Sequence, residues 1–210
     1  MQPAAARGRL IVLEGGEGAG KTTHARFVEE WLQARGRPVV RTREPGGSPL
    51  AEAIREVILR QWDEGMDAGT EALLMFAARA AHLRALLRPA LEQGSDVVCD
   101  RFVDASYAYQ GAGRGLGEER IAALERFTLQ GLRADLVLVL DLDPALGLAR
   151  AKRRGTENRF ESETLEFMAR VRAAYLARAR AEPARYAVID AGQPVEQVRQ
   201  ALRQALEAHL

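Results

Sequence analysis

Nine consecutive residues, Gly15-Gly16-Glu17-Gly18-Ala19-Gly20-Lys21-Thr22-Thr23, have the types and spacing needed to hold a polyphosphate. Gly15, Gly20, Lys21 and Thr22 fit G-x-x-x-x-G-K-[ST], in which glycines let backbone N–H groups curl around phosphate oxygens while the next helix points its positive end at them. In such a loop the lysine reaches the β- and γ-phosphates and the hydroxyl holds Mg²⁺. The chain has 28 arginines but only two lysines, Lys21 and Lys152, so the lysine here is not a product of general lysine usage.

Other candidates are charged or polar residues at the ends of apolar runs. Arg43-Glu44-Pro45-Gly46-Gly47 turns sharply after a short strand, where α/β proteins place ligand loops, although a solvated pair would also account for Arg43 and Glu44. Arg79 interrupts the apolar stretch from Leu73 to Leu83; it either meets a partner or ligand, or snorkels from a helix edge. Asp100-Arg101 ends an apolar strand. Arg101 could fork onto a phosphate, with Asp100 orienting it or a metal-bound water, or the two could form a strand-end salt bridge. Ser106 and Gln110 offer groups that read a base edge and Tyr109 a flat wall, unless this is an ordinary polar loop after a short helix. The basic segment from Arg150 to Glu161, with Arg153, Arg154 and Arg159 inside it, is either a flap bringing positive charge over a migrating phosphoryl group or a solvated face.

The elements that position these residues alternate along the chain. Apolar strands are expected at Leu10 to Leu13, Pro38 to Thr42, Asp96 to Asp100, Asp135 to Asp141 and Tyr186 to Asp190. Helical periodicity follows Lys21. A second helix is expected to be capped by Ser48 with Glu52 in its first turns, and a third runs from about Thr70 to Leu91. Its apolar residues cover more than one face, which suits burial against the sheet and against something else, such as a second subunit. Further helices span Glu118 to Gly131, start at Asp143-Pro144, reach about Ala181, and close the chain after the Ala191 to Pro194 loop. The pattern specifies an α/β chain with a five-stranded parallel sheet covered on both faces. Residues 1–8 are expected to be a disordered tail and 9–210 a single domain including a lid at about 150–161.

Composition narrows the partners. The net charge is +1, with 30 basic against 29 acidic residues, which argues against nucleic-acid binding through bulk charge. Cys99 is the only cysteine, so no intramolecular disulfide is possible and a reducing compartment is expected. No run approaches about 18 apolar residues and no leader-like segment precedes the first strand, so the expectation is a cytoplasmic protein without a membrane partner.

Taken together these residues resemble the thymidylate kinases from about Arg9 onward: GGEGAGKTT at 15 to 23, TREPGG at 42 to 47, the FAAR run ending at Arg79, DRF at 100 to 102, AYQGAGRG at 108 to 115, and the arginines from 150 to 161. The resemblance implies a P-loop kinase fold with a mobile lid, a homodimer, and transfer of the ATP γ-phosphoryl group to dTMP. It places ATP and Mg²⁺ at Lys21 and Thr22, Glu17 near the acceptor sugar, Arg101 on the dTMP phosphate with Asp100 beside it, and Arg43 and Pro45 close by. Arg79 and Ser106 would read the thymine edge, with Gln110 near the base and Tyr109 near the sugar. Gln193 lies in the loop flanking adenine. Arg150, Arg153 and Arg154 are lid candidates, as in the bacterial type; Arg154 is favoured for the transferring phosphate, with Arg150 or Arg159 as alternatives. The family usually has an aromatic residue where Met75 stands, so either Met75 or the adjacent Phe76 covers thymine. A kinase for a nucleoside or another nucleotide is the alternative reading. A GTP-dependent switch would carry N-K-x-D after a late strand, which is absent.

Overall fold

The computed structural model describes residues 7–153, 159–160 and 163–210. Five strands, β1 (Leu10–Glu14), β2 (Val39–Arg43), β3 (Asp96–Asp100), β4 (Leu136–Asp141) and β5 (Tyr186–Asp190), form one parallel sheet in the order β2-β3-β1-β4-β5. The helices are α1 (Lys21–Gln33), α2 (Pro49–Leu59), α3 (Ala68–His82), α4 (Arg88–Glu92), α5 (Val103–Ser106), α6 (Glu118–Leu129), α7 (Pro144–Arg153), α8 (Leu165–Ala181) and α9 (Val195–His209).

The apolar runs are continuous because both faces of the sheet are covered, and successive side chains go to opposite layers. Leu10, Val12, Val97 and Val137 pack with Phe76, Ile121 and Val171. Ile11, Leu13, Val98 and Leu138 pack with Val28 and Leu32 of α1 and Leu202 and Leu206 of α9. The register sets Leu13 and Arg43 each opposite Asp100, so the carboxyl tips of the three strands lie level. That edge, around central β1, is where an open parallel sheet receives its ligands.

Several elements differ from the sequence expectation. Gly8, placed in the tail, is buried and donates its N–H to Leu91 O at 2.8 Å. Ser48 stands at the start of α2 but makes no capping bond, and among the described residues its buried hydroxyl has no partner; Glu52 Oε1 instead accepts from Gly47 N at 2.8 Å. The helix expected from Thr70 starts at Ala68 because Asp67 Oδ1 accepts from Gly69 N and Thr70 N at 2.8 and 3.1 Å. It does not run unbroken to Leu91: a π-helical turn, Leu83–Leu87, separates α3 from α4. Pro89 follows, with no N–H to donate and a ring that would crowd a regular helical turn before it. A second π-helical segment, Tyr107–Gly113, follows α5 where the alternative reading of the sequence was an ordinary polar loop. α6 stops at Leu129 because Gln130 and Gly131 take left-handed φ values of 49° and 85°.

Candidate active site

The loop between β1 and α1 has the backbone an anion cradle needs, with Gly15, Gly18 and Gly20 at φ 142°, 71° and 83°. Gly18 also lies directly against Gly147 of α7: a Cβ on Gly18 would overlap Gly147 O, and one on Gly147 would overlap Glu17 O. Lys21 is buried, and its Nζ donates to Gly15 O at 3.1 Å and Gly16 O at 2.8 Å. Burial, followed by the neighbouring positive charge of Arg101, pushes its pKa down to about 8.

Thr22 Oγ1 donates to Asp100 Oδ2 at 2.9 Å. Among the described residues no group of three or more His, Cys, Asp or Glu side chains gathers as a metal site. A hydroxyl and a carboxylate side by side at the mouth of a phosphate loop are nevertheless the oxygen donors Mg²⁺ takes when water and phosphate complete its shell. The donor set fits that ion.

Next to the loop, a cleft of about 640 Å³, partly open to solvent, lies along the tips of β1, β2 and β3. Arg101 forms its boundary with the phosphate loop. Its Nη1 donates to Gly15 O at 3.0 Å and its Nη2 to Glu17 Oε1 at 2.6 Å, although its backbone sits at φ 71°, unusual for a side chain of this size. Tyr109 OH donates to the same Glu17 oxygen at 3.0 Å, and its ring lies 4.8 Å from the Arg101 guanidinium. Burial raises the Tyr109 pKa, keeping the phenol a donor.

Arg79 projects from α3 into the cleft wall although it is only 2% exposed. Each guanidinium nitrogen makes one bond within the protein, using three of its five N–H groups: Nε donates to Glu44 Oε2 at 2.6 Å, Nη1 to Ser106 Oγ at 3.1 Å and Nη2 to Phe102 O at 2.9 Å. Gln110 Nε2 donates to the buried Glu71 Oε1 at 2.7 Å. Glu71 also pairs with Arg159, and Phe160 stands edge-on to Tyr109 at 5.7 Å.

The structure therefore brings Lys21, Thr22 and Asp100 together, sets Glu17, Arg101 and Tyr109 beside them, and lines the cleft with Pro45, Met75, Arg79 and Gln110. Between the two thymine-covering candidates, Met75 lines the cleft, whereas Phe76 is buried beneath Arg79 with its ring 4.6 Å from the guanidinium. Ser106 is buried and meets Arg79 inside the protein. Arg43 does not line the cleft: it is half-exposed and pairs with Glu52 at 2.8 Å. On the other side of the phosphate loop, Arg150 Nη1 donates to Ala191 O at 3.0 Å, and Gln193 Nε2 to Asp190 Oδ2 at 2.8 Å. Thr23 is exposed on the first turn of α1. Arg154 lies outside the described residues.

Two participants, Arg55 and Glu14, were not singled out by the sequence, and the role of a third, Glu44, was not foreseen there. Glu44 read as part of a turn, and its buried role depends on partners 35 and 38 residues away. Arg55 lines the cleft and donates from Nη1 to Pro45 O at 2.8 Å; burial and then Arg43 lower its pKa. Its signal was available, since Ala51, Arg55 and Ile58 share one helical stripe whose two apolar members are buried. Glu14, at the end of β1, accepts from Phe102 N and Ala105 N at 2.8 and 3.2 Å and from Tyr175 OH at 2.8 Å. Burial, and next Asp104, raise its pKa to about 7.

Residues 13–202 match the sequence profile of a family described as thymidylate kinase. The chain is 57% identical over 195 residues to a thymidylate kinase of Pseudomonas fluorescens, covering 93% of each chain. It is 56% identical over 199 residues to one of Pseudomonas syringae pv. tomato, covering 95% of each. A thymidylate kinase of Chromohalobacter salexigens is 56% identical over 205 residues, 97% of this chain and 95% of the other.

Proposed function

This chain belongs to the thymidylate kinase family, and from that premise we propose how its residues divide the work of moving the γ-phosphoryl group of ATP to dTMP. The observation that carries the reading is the place of Arg101, whose guanidinium bonds a phosphate-loop carbonyl and lines the neighbouring cleft. Two anionic tails brought to that boundary would meet there.

In this reading ATP lies along Gly15 to Thr23, its β- and γ-phosphates against Lys21 and the start of α1, with its adenine toward Arg150 and Gln193. dTMP lies in the cleft with its phosphate on Arg101, near Arg55. Met75, Arg79 and Gln110 form the base end, with Ser106 supporting Arg79. Pro45 and Tyr109 form the sugar end, with Glu17 at the sugar hydroxyl. A phosphate oxygen of dTMP attacks the γ-phosphorus, the bond to the β–γ bridging oxygen breaks, and ADP leaves. The attacking oxygen is already anionic near neutral pH, so the protein's part is alignment and charge neutralisation by Lys21, Arg101 and the lid arginines. Thr22 and Asp100 would hold Mg²⁺, which neutralises charge on the β- and γ-oxygens when bound.

A homodimer and a cytoplasmic setting complete the proposal. Leu50 and Val57 on α2, Leu73 on α3 and Phe127 on α6 are exposed apolar residues on helices that pack in that order, and a second copy would cover them. The lone buried thiol of Cys99 suits a reducing compartment, and among the described residues no helix is long and apolar enough to cross a membrane.

The deciding experiment offers the purified protein ATP with dTMP, dUMP, dCMP or thymidine and identifies the labelled product. dTDP is expected to dominate. Preferential phosphorylation of thymidine would overturn the assignment of Arg101 to an acceptor phosphate.

A further inference from the structure

Arg79 is held from behind by a buried relay. Glu44 accepts from Arg79 Nε through Oε2 at 2.6 Å, and its Oε1 accepts from His82 Nδ1 at 3.0 Å. A carboxylate cannot donate, so Nδ1 carries the ring proton. In the neutral ring Nε2 is then an acceptor, and the Thr42 hydroxyl donates to it at 2.8 Å. His82 is fully buried, at 0% exposure, and does not line the cleft.

Position gives this ring leverage. Thr42 lies in β2, Glu44 just beyond its end, and His82 one helical turn after Arg79 on α3. Gly47, at φ 84°, lies so close that a Cβ there would overlap both His82 Nε2 and Thr42 Oγ1. One imidazole thus touches both ends of the turn containing Pro45 and fixes the carboxylate that aims Arg79. A purely apolar side chain of similar size would fill the space and leave Glu44 with a single tether.

We propose that His82 is a positioning residue for acceptor recognition: through Nδ1 it locks Glu44, and Glu44 in turn sets the angle at which Arg79 presents itself to the base. The inference rests on the reading that Arg79 faces the base. It assigns the discrimination to a triad in which Glu44 lines the cleft while Thr42 and His82 stand behind it, outside the lining.

The test measures dTMP and ATP affinity by calorimetry, together with steady-state kinetics, for four variants of the full chain. His82→Leu removes both links. His82→Asn keeps a donor near the Nδ1 position, and His82→Gln places its amide near the Nε2 position. Loss of base alignment acts mainly on binding, so His82→Leu and His82→Gln are expected to raise Kd and KM for dTMP about tenfold, with kcat and the ATP Kd within about twofold. His82→Asn should restore dTMP binding to within about threefold of the native chain. The proposal is overturned if His82→Leu binds dTMP normally, if it loses ATP affinity in the same proportion, or if His82→Asn is no better than His82→Gln. That last comparison decides the matter should His82→Leu not fold. Arg79→Gln separates the premise from the inference. Normal dTMP binding by Arg79→Gln sinks the base-facing reading itself; weakened binding there with normal His82 variants sinks only the role of His82.

Discussion

Arg101 and Glu17, 84 residues apart in sequence, are joined at 2.6 Å between a guanidinium nitrogen and a carboxylate oxygen. The pair is largely buried, at 15% and 14% side-chain exposure, and Tyr109 OH shares the same carboxylate oxygen. Glu17 therefore keeps the guanidinium at the junction of loop and cleft when no phosphate is there to hold it. Arg101→Lys retains the charge but loses the planar fork, so kcat/KM for dTMP should fall by about 100-fold or more. Glu17→Gln should cost less, roughly tenfold, because Tyr109 still has an oxygen to bond. Steady-state kinetics with dTMP varied at saturating ATP checks both; near-native activity of Arg101→Lys would contradict the placement.

Lys21 predicts opposite signs for stability and activity. Its folded pKa, about 8, lies below the ordinary 10.5, so its contribution to stability is present above pH 10.5 and lost as pH falls through about 8. At pH 7 the buried charge opposes folding, and Lys21→Met should stabilise the ligand-free protein by as much as about 3 kcal/mol while turnover falls by orders of magnitude. Urea unfolding at pH 7, set beside an activity assay, tests the pair of outcomes. Anionic ATP needs the charged amine, so its Kd should be flat below pH 8 and weaken by up to about tenfold per unit above it. Lys21→Met should show no such slope.

Glu14 gives a second pH signature. Its folded pKa, about 7, lies above the ordinary 4.5, so its contribution is fully present below pH 4.5 and is lost as pH rises through about 7. Glu14→Gln keeps an oxygen for Phe102 N and Ala105 N and presents an amide to Tyr175 OH. Comparison of unfolding free energy for the two proteins between pH 4.5 and 8 should show the mutant gaining on the native chain as pH rises. A constant difference across that window would contradict the shift.

Gly147→Ala is expected to impair ATP binding from a residue with no polar side chain. Its Cβ would press on Glu17 O and displace the phosphate loop. A Kd for ATP raised by about tenfold, with dTMP affinity far less affected, is the outcome to look for in calorimetry.

Much of this was legible in the chain because it depended on local pattern. The buried strands announce themselves as apolar runs, and Gly15, Gly20, Lys21 and Thr22 fix the phosphate loop by spacing alone. What stayed hidden depended on partners distant in sequence. Nothing near Glu44 says that Arg79 and His82 will meet it. Ser48 has the chemistry of a cap, yet Glu52 takes the neighbouring N–H. The winding of Tyr107–Gly113 is not encoded by periodicity, whereas the π-helical turn Leu83–Leu87 had a local signal in Pro89, whose ring crowds the turn before it. Arg55 lay in plain view on a stripe shared with Ala51 and Ile58, where a charge among buried neighbours is itself the signal.

The left-handed backbone at Arg101, φ 71°, has a consequence for anyone seeking a sturdier version of the chain. Conformational arithmetic alone recommends glycine there, worth about 1 kcal/mol of relieved strain. The recommendation would remove the side chain that the rest of the edge is arranged around. Glycine would also leave the largely buried Glu17 carboxylate and Gly15 O without the guanidinium donor, a loss larger than the strain relieved, so the same bonds that aim the side chain hold its strained backbone and the glycine variant should be both inert and less stable.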